Sequence, residues 1–311
     1  GSYKARSLVG SKNNTKRLRT MFILFCITIP IVHWLIFYAY INLDSILLAF
    51  TDKYGNYTLQ NFTRIFHELS ISTSDLRIGL INTLITFALF IATFPLKVLV
   101  SYFIYKRIPG HRFFRVVFFL PSIIFSVAIN AIFIRMMSVD GIIAQTVGGI
   151  MGLNYIPEFL ADTRFANATV MANYLWLGFP GDLIVLGGTF ARIPADVLEA
   201  GKVDGVNWRK EFTQIIVPMI WPTLVIQMLL GFCLIFSSPG NNAFLLTQGK
   251  YNTHTMSSWM YNIMYQNRGG QSASGSFNFL SAVGLIISVI SVTATLLVRH
   301  FTNKFFNDVE Y

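Results

Sequence analysis

The sequence predicts an all-α membrane protein with about six transmembrane helices, and three observations point there. Of its 311 residues, 54% are hydrophobic, 12% are charged and 29 are Phe, with a mean hydropathy of +0.56. An ordinary soluble domain is a poor match to that composition. Six stretches are apolar over about 20 residues, long enough to cross the hydrocarbon layer as helices that satisfy every backbone group within their own segment. The cations, finally, are grouped by segment.

The expected spans run Met21 to Ile41, Gly79 to Phe103, Phe113 to Ile134, Ala166 to Phe190, Ile215 to Phe236 and Phe279 to Val298. Lys4, Arg6, Lys12, Lys16, Arg17 and Arg19 precede the first span, and Lys106, Arg107, Arg112 and Arg115 join the second to the third. Arg192, Lys202, Arg209 and Lys210 join the fourth to the fifth, and Arg299 and Lys304 follow the sixth. These segments alternate along the chain, so the positive-inside rule places them and both termini in the cytoplasm. The outer loops hold Lys53, Arg64, Arg77, Arg135, Arg164, Lys250 and Arg268, offset by Asp44, Asp52, Glu68, Asp75, Asp140, Glu158 and Asp162. The net charge of +10 is therefore read as topology, and no nucleic-acid partner is expected.

The resulting division is a basic cytoplasmic segment (1–20), a transmembrane domain (21–303) with a cytoplasmic segment at 193–222, and a cytoplasmic tail (304–311). The first span follows a basic stretch, as a signal peptide would, but it is too long for one and lacks a small-residue cleavage site, so it is expected to be a retained helix. The outer loop from Leu43 to Arg77 includes Ile46-Leu47-Leu48-Ala49-Phe50, and Gln60 to Phe66 has a helical pattern. Loops Met137 to Phe165 and Pro239 to Asn278 are long, rich in Gly, Asn and Ser, and outside by the charge count. They are expected to cap the bundle or meet a soluble partner.

Much enzyme chemistry is excluded. The pairs Gly201-Lys202 and Gly249-Lys250 lack the hydroxyl residue and the earlier Gly of a phosphate-binding loop. His67-Glu68 opens like a zinc-protease motif, yet Ile71 stands where the second His belongs. Cys26 and Cys233 lie inside expected spans without partner spacing, which argues against a disulfide or metal site and for packing roles. His33 is expected to be a core residue. The ionisable groups within spans are Asp182, after Gly178-Phe179-Pro180-Gly181 where a broken helix would free backbone groups, and Lys97, able to snorkel to the cytoplasmic surface. No catalytic residue is assigned.

The cytoplasmic segment carries the strongest signal. In Ile193-Pro194-Ala195-Asp196-Val197-Leu198-Glu199-Ala200-Gly201-Lys202-Val203-Asp204-Gly205, Pro194 suits the first turn of a helix, Asp196 and Glu199 its positive end, and Gly205 the left-handed position after it. Asn207 can cap a second helix running through Phe212 into the fifth span. Ala200 and Gly201 leave a flat face that another protein's surface can approach.

The run Glu199-Ala200-Gly201, three residues, Gly205, nine residues, then Ile215-Ile216-Val217-Pro218 resembles the EAA motif of ATP-binding-cassette (ABC) importer permeases, with Gly201 and Val217 in place of Ala and Leu. The flanks Ile193-Pro194 and Val203-Asp204-Gly205 resemble the carbohydrate-uptake branch. Leu47 to Asp52, Asn61-Phe62, Ile65-Phe66, Asn82-Thr83-Leu84, Leu120-Pro121, Asp140-Gly141-Ile142, Leu245-Leu246-Thr247 and Asn252-Thr253 are similar to that family in the same order.

The resemblance implies a type I ABC importer permease fold in a bacterial cytoplasmic (inner) membrane. It implies a second permease subunit, homologous but not identical, two ATPase subunits that hold ATP and Mg, and an extracellular or periplasmic solute-binding protein. This chain itself would bind no cofactor or metal. Glu199, Ala200, Gly201, Lys202, Asp204, Gly205 and Pro218 would form the ATPase-coupling element, and the cargo would be a sugar or oligosaccharide. Aromatic faces stack on sugar rings and amides hydrogen-bond hydroxyls, so Asn130, Asn173, Tyr174, Trp176, Asp182 and Gln227 are candidate path residues. An acidic saccharide is allowed by Arg135 near the outer mouth. The alternative is a self-contained secondary transporter or channel, which would need charge relays or inverted repeats within the membrane; a membrane enzyme would need a catalytic cluster that the sequence lacks.

Overall fold

A computed structural model describes residues 2–305 except 153, 235, 237–239 and 267–272. Arg268 and residues 306–311 of the expected tail lie outside the described residues, as do the side chains of Lys4, Arg6, Lys12, Lys16 and Lys304. Five described helices are long and apolar enough to cross a membrane, six when one bent pair counts as a single span. The described residues contain no strand, only an isolated bridge between Thr51 and Tyr57.

The first span is longer than its hydropathy suggests. Helix α1 (Ser2–Trp34) continues through a π-helical stretch, Leu35–Tyr40, into α2 (Ile41–Ala49). The apolar run Ile46 to Ala49, expected in an outer loop, is thus the end of this helix, because Ala49 reaches the core. Cys26 and His33 are exposed on α1 and not packed in a core as expected; the His33 ring lies 4.8 Å from Phe37 and 6.4 Å from Tyr38. Cys233 is also exposed, with Sγ 3.6 Å from Thr295 Oγ1.

After the short helix α3 (Gln60–Ser70) comes α4 (Asp75–Tyr105), the second span. The third span departs from a straight helix. Helices α5 (His111–Ile123) and α6 (Ser126–Met137) meet at a bend of 110°, with Ile124 and Phe125 extended between them. Pro121, just before the break, has no N–H to give the carbonyl four residues earlier, which weakens the last turn of α5. Helix α7 (Ile142–Ile150) lies in the following loop, and α8 (Ala166–Phe190) forms the fourth span with the bounds its apolar run sets.

The segment between the fourth and fifth spans holds α9 (Ala195–Val203) and α10 (Trp208–Lys210), which passes through a π-helical turn, Glu211–Ile216, into α11 (Val217–Cys233). Helices α12 (Gly240–Thr247) and α13 (Met256–Gln266) occupy the connection between the fifth and sixth spans, and α14 (Ala273–Phe305) is the final span.

Two apolar clusters set the packing. One gathers Ala49, Ile65, Leu76, Met256, Trp259 and Phe279 from α2, α3, α4, α13 and α14. The other gathers Phe94, Tyr102, Leu186, Phe190, Ile216 and Ile220 from α4, α8 and the entry to α11. A polar lock joins α4 to the loop before α13. The Asn82 side-chain amide donates to the carbonyls of Asn252 (2.7 Å) and His254 (2.9 Å), while its oxygen accepts from Asn167 Nδ2 at 2.7 Å. Next to it, Thr83 Oγ1 accepts from the Met256 N–H at 3.0 Å.

Asn82→Ala removes three of these bonds at once and strands the buried His254 carbonyl, at roughly 1–3 kcal/mol for a buried group left unsatisfied. The thermal midpoint of the detergent-solubilised variant should fall by several degrees. A midpoint within about a degree of the parent would show that the lock contributes little.

Candidate functional site

The arm between the fourth and fifth spans, expected in the cytoplasm, follows from local rules. Pro194 stands one residue before α9, not in its first turn, with extended ψ (φ −59°, ψ 134°). Gly205 takes φ 70° after the last turn, a conformation that penalises any side chain with a Cβ. The Asn207 side chain then accepts from the Lys210 N–H at 3.0 Å and starts the next helix, as its position predicts.

Burial divides the motif residues into two groups. Glu199, Ala200, Lys202, Asp204 and Gly205 are exposed, and the three charged ones form no ion pair among the described residues. Gly201 is buried, and a Cβ there would lie 3.0 Å from Ile215 Cδ1. Its small size therefore lets α9 pack on its own chain, which corrects the expectation that it offers a flat outer face. Val203, part of the flank that resembles the carbohydrate-uptake branch, is 88% exposed. Pro218 lies in the first turn of α11, directly after the π-helical turn, and having no N–H it leaves a carbonyl of that preceding turn without its helical donor.

Lys97 does not snorkel out of the bundle as expected. It is 4% exposed, and its Nζ lies 2.6 Å from Asp182 Oδ2 and 3.3 Å from the Gly178 carbonyl. Helix α8 runs unbroken through Pro180, so the expected break beside Asp182 is absent. The pair faces a cavity of about 390 Å³ between α4, α8 and α11, lined by Phe87, Phe90, Tyr174 and Gln227 among others.

Three of the six expected path residues, Tyr174, Asp182 and Gln227, therefore converge. The other three do not line this cavity. Asn130 and Asn173 are 1% and 0% exposed, packed between helices, with Asn130 donating to the Ser126 carbonyl at 2.8 Å. Trp176 stacks on Phe133 at 5.9 Å. Arg135 is exposed at the end of α6. Phe87 and Phe90 escaped notice because an aromatic side chain in a span signals packing as readily as binding. No metal-binding group of His, Cys, Asp or Glu occurs among the described residues.

A second ion pair lies where α4 meets the cytoplasmic arm. Lys106 Nζ is 2.5 Å from Glu211 Oε1, and Glu211 is 7% exposed. The Phe212 ring sits 5.1 Å from Tyr102, and Trp208 sits 5.5 Å from Phe103.

No protein-family model matches the chain. The maltose/maltodextrin transport system permease protein MalF of Vibrio vulnificus is 28% identical over 261 residues, covering 78% of this chain and 47% of that protein. The multiple sugar-binding transport system permease protein MsmF of Streptococcus mutans is 22% identical over 284 residues, 89% of this chain and 93% of the other. The maltodextrin transport system permease protein MalC of Streptococcus pneumoniae is 27% identical over 297 residues, 88% and 65% respectively. The chain spans about half the length of the MalF relatives. One chain of a bacterial alginate ABC transporter, solved in complex with an alginate pentasaccharide-bound periplasmic protein, superposes with a TM-score of 0.76 over 94% of this chain and 98% of its own, at 20% identity. The fold is that of an ABC transporter permease.

Replacing Lys97 with Met leaves Asp182 without its partner and should cost ~3–5 kcal/mol, whereas the double replacement Lys97→Met/Asp182→Leu should recover most of that loss. Denaturant titration of the purified variants reads the difference. A double variant no more stable than Lys97→Met would show that the two charges do not compensate each other.

Proposed function

We propose that this homologue of sugar-transport permeases forms half of the transmembrane pathway of an ATP-driven importer in a bacterial cytoplasmic membrane, with both termini inside. The observation that carries the reading is α9. It is a short capped helix held against its own chain through Gly201, with Glu199, Lys202, Asp204 and Val203 exposed and unpaired, in the spacing of the EAA motif. In this reading the helix seats in an ATPase subunit, and ATP and Mg stay in the two ATPase partners. A second permease completes the pathway, and an extracellular or periplasmic protein delivers the solute.

The cargo class follows from the cavity. Lys97 and Asp182 cancel each other's charge and still present hydrogen-bonding atoms, while Tyr174 and Gln227 add a hydroxyl and an amide, and Phe87 and Phe90 add flat apolar faces. That combination suits a hydroxyl-rich, uncharged solute, a sugar or oligosaccharide. The names of the relatives support the same class.

Glu199→Arg should abolish ATP-dependent sugar uptake by the assembled importer while the chain stays in the membrane at its normal level. Uptake assays paired with quantification of the chain in membranes test this. Unimpaired uptake by a normally present variant would sink the assignment of α9.

A further inference from the structure

We infer that the Lys106–Glu211 ion pair is the joint through which the cytoplasmic arm moves α4, making both residues positioning residues for coupling. The inference rests on the proposed contact between α9 and an ATPase, and it names the point where that contact enters the bundle.

The arm moves as one piece. Gly201 packs on Ile215, the Val206 N–H donates to the Gly201 carbonyl at 3.0 Å, and Leu198 packs against the apolar cluster that includes Ile216. A displacement of α9 therefore reaches the π-helical turn that carries Glu211. The aromatic contacts Trp208–Phe103 and Phe212–Tyr102 hold this turn to α4, but apolar contacts are non-directional and tolerate sliding. A desolvated ion pair does not tolerate it, because separating the charges leaves a buried carboxylate alone. Lys106 Nζ at 2.5 Å fixes one point on α4 to one point on the arm, and the Tyr102 hydroxyl lies beside the same carboxylate.

Helix α4 carries the displacement onward. Lys97 lies nine residues before Lys106, roughly 13 Å along a helix, and ends at Asp182 in the cavity wall. One rigid helix thus has a charged joint at the arm and another at the candidate solute path.

The test uses the complete importer in proteoliposomes, with partner permease, ATPases and binding protein, and reads sugar imported per ATP hydrolysed. Glu211→Gln keeps the shape and removes the charge. It should lower that ratio about fivefold, the scale on which residues within a coupling network act, while hydrolysis continues. Lys106→Glu and Glu211→Lys should each uncouple, and the double exchange should regain most of the ratio. A Glu211→Gln importer with the parental ratio would overturn the inference, and so would a double exchange no better than the worse single one. A purely structural pair would reduce the amount of assembled complex and leave the ratio of the remainder unchanged, which also overturns it. Failure of the parental complex to import would strike the importer reading itself, so the two failures are separable.

Discussion

A lysine in the apolar interior of a helical bundle must find a counter-charge, and the pairing of Lys97 with Asp182 constrains much of what surrounds it. In lipid the hydrophobic effect does not choose which faces of two helices meet, so polar contacts carry more of that choice. Lys97 reaches both the Asp182 carboxylate and the Gly178 carbonyl, which sets the rotation and the height of α4 against α8 together. The apolar cluster of Phe94, Leu186 and Phe190 then closes on one side, and the cavity with Tyr174 and Gln227 stays open on the other.

Helix α4 is the common member of three polar anchors. Asn82 ties it to the loop before α13, Lys97 to α8, and Lys106, the residue that follows its last turn, to the arm that carries α9. The helix between them is mostly apolar and continuous despite Pro95, long and apolar enough to cross a membrane. A rod held at both ends and near its middle moves as a unit, and a coupling element at one end can act on it as a lever. The arm itself follows the same economy: Gly201 faces inward for close packing, leaving the charged residues of α9 free for another surface.

Local signals were legible in the sequence, and spatial ones were not. The apolar run of α8 has the bounds Ala166 to Phe190, and Gly205 and Asn207 mark the turn and the cap where the structure has them, because each depends on a few neighbouring residues. The bend between α5 and α6 was hidden: both halves are apolar, and Pro121 alone does not predict 110°. The continuation of the first span to Ala49 was masked by Asn42 and Asp44, whose polarity looks like a helix end. Asn130 and Asn173 looked like path residues because polarity within a span does not say which way a residue faces. Lys97 and Asp182 were both conspicuous, yet 85 residues separate them and only the fold brings them together. Glu211 was the one to find, a lone carboxylate at the threshold of an apolar span.

The account stands on a division of labour in which this chain supplies a pathway and a lever, and other chains supply energy and cargo. Reconstitution in liposomes tests that division most directly, by measuring sugar uptake with this chain alone and with each partner added. The account predicts uptake only when the second permease, the ATPases, the binding protein and ATP are all present. Uptake by this chain alone, driven by an ion or solute gradient, would contradict it.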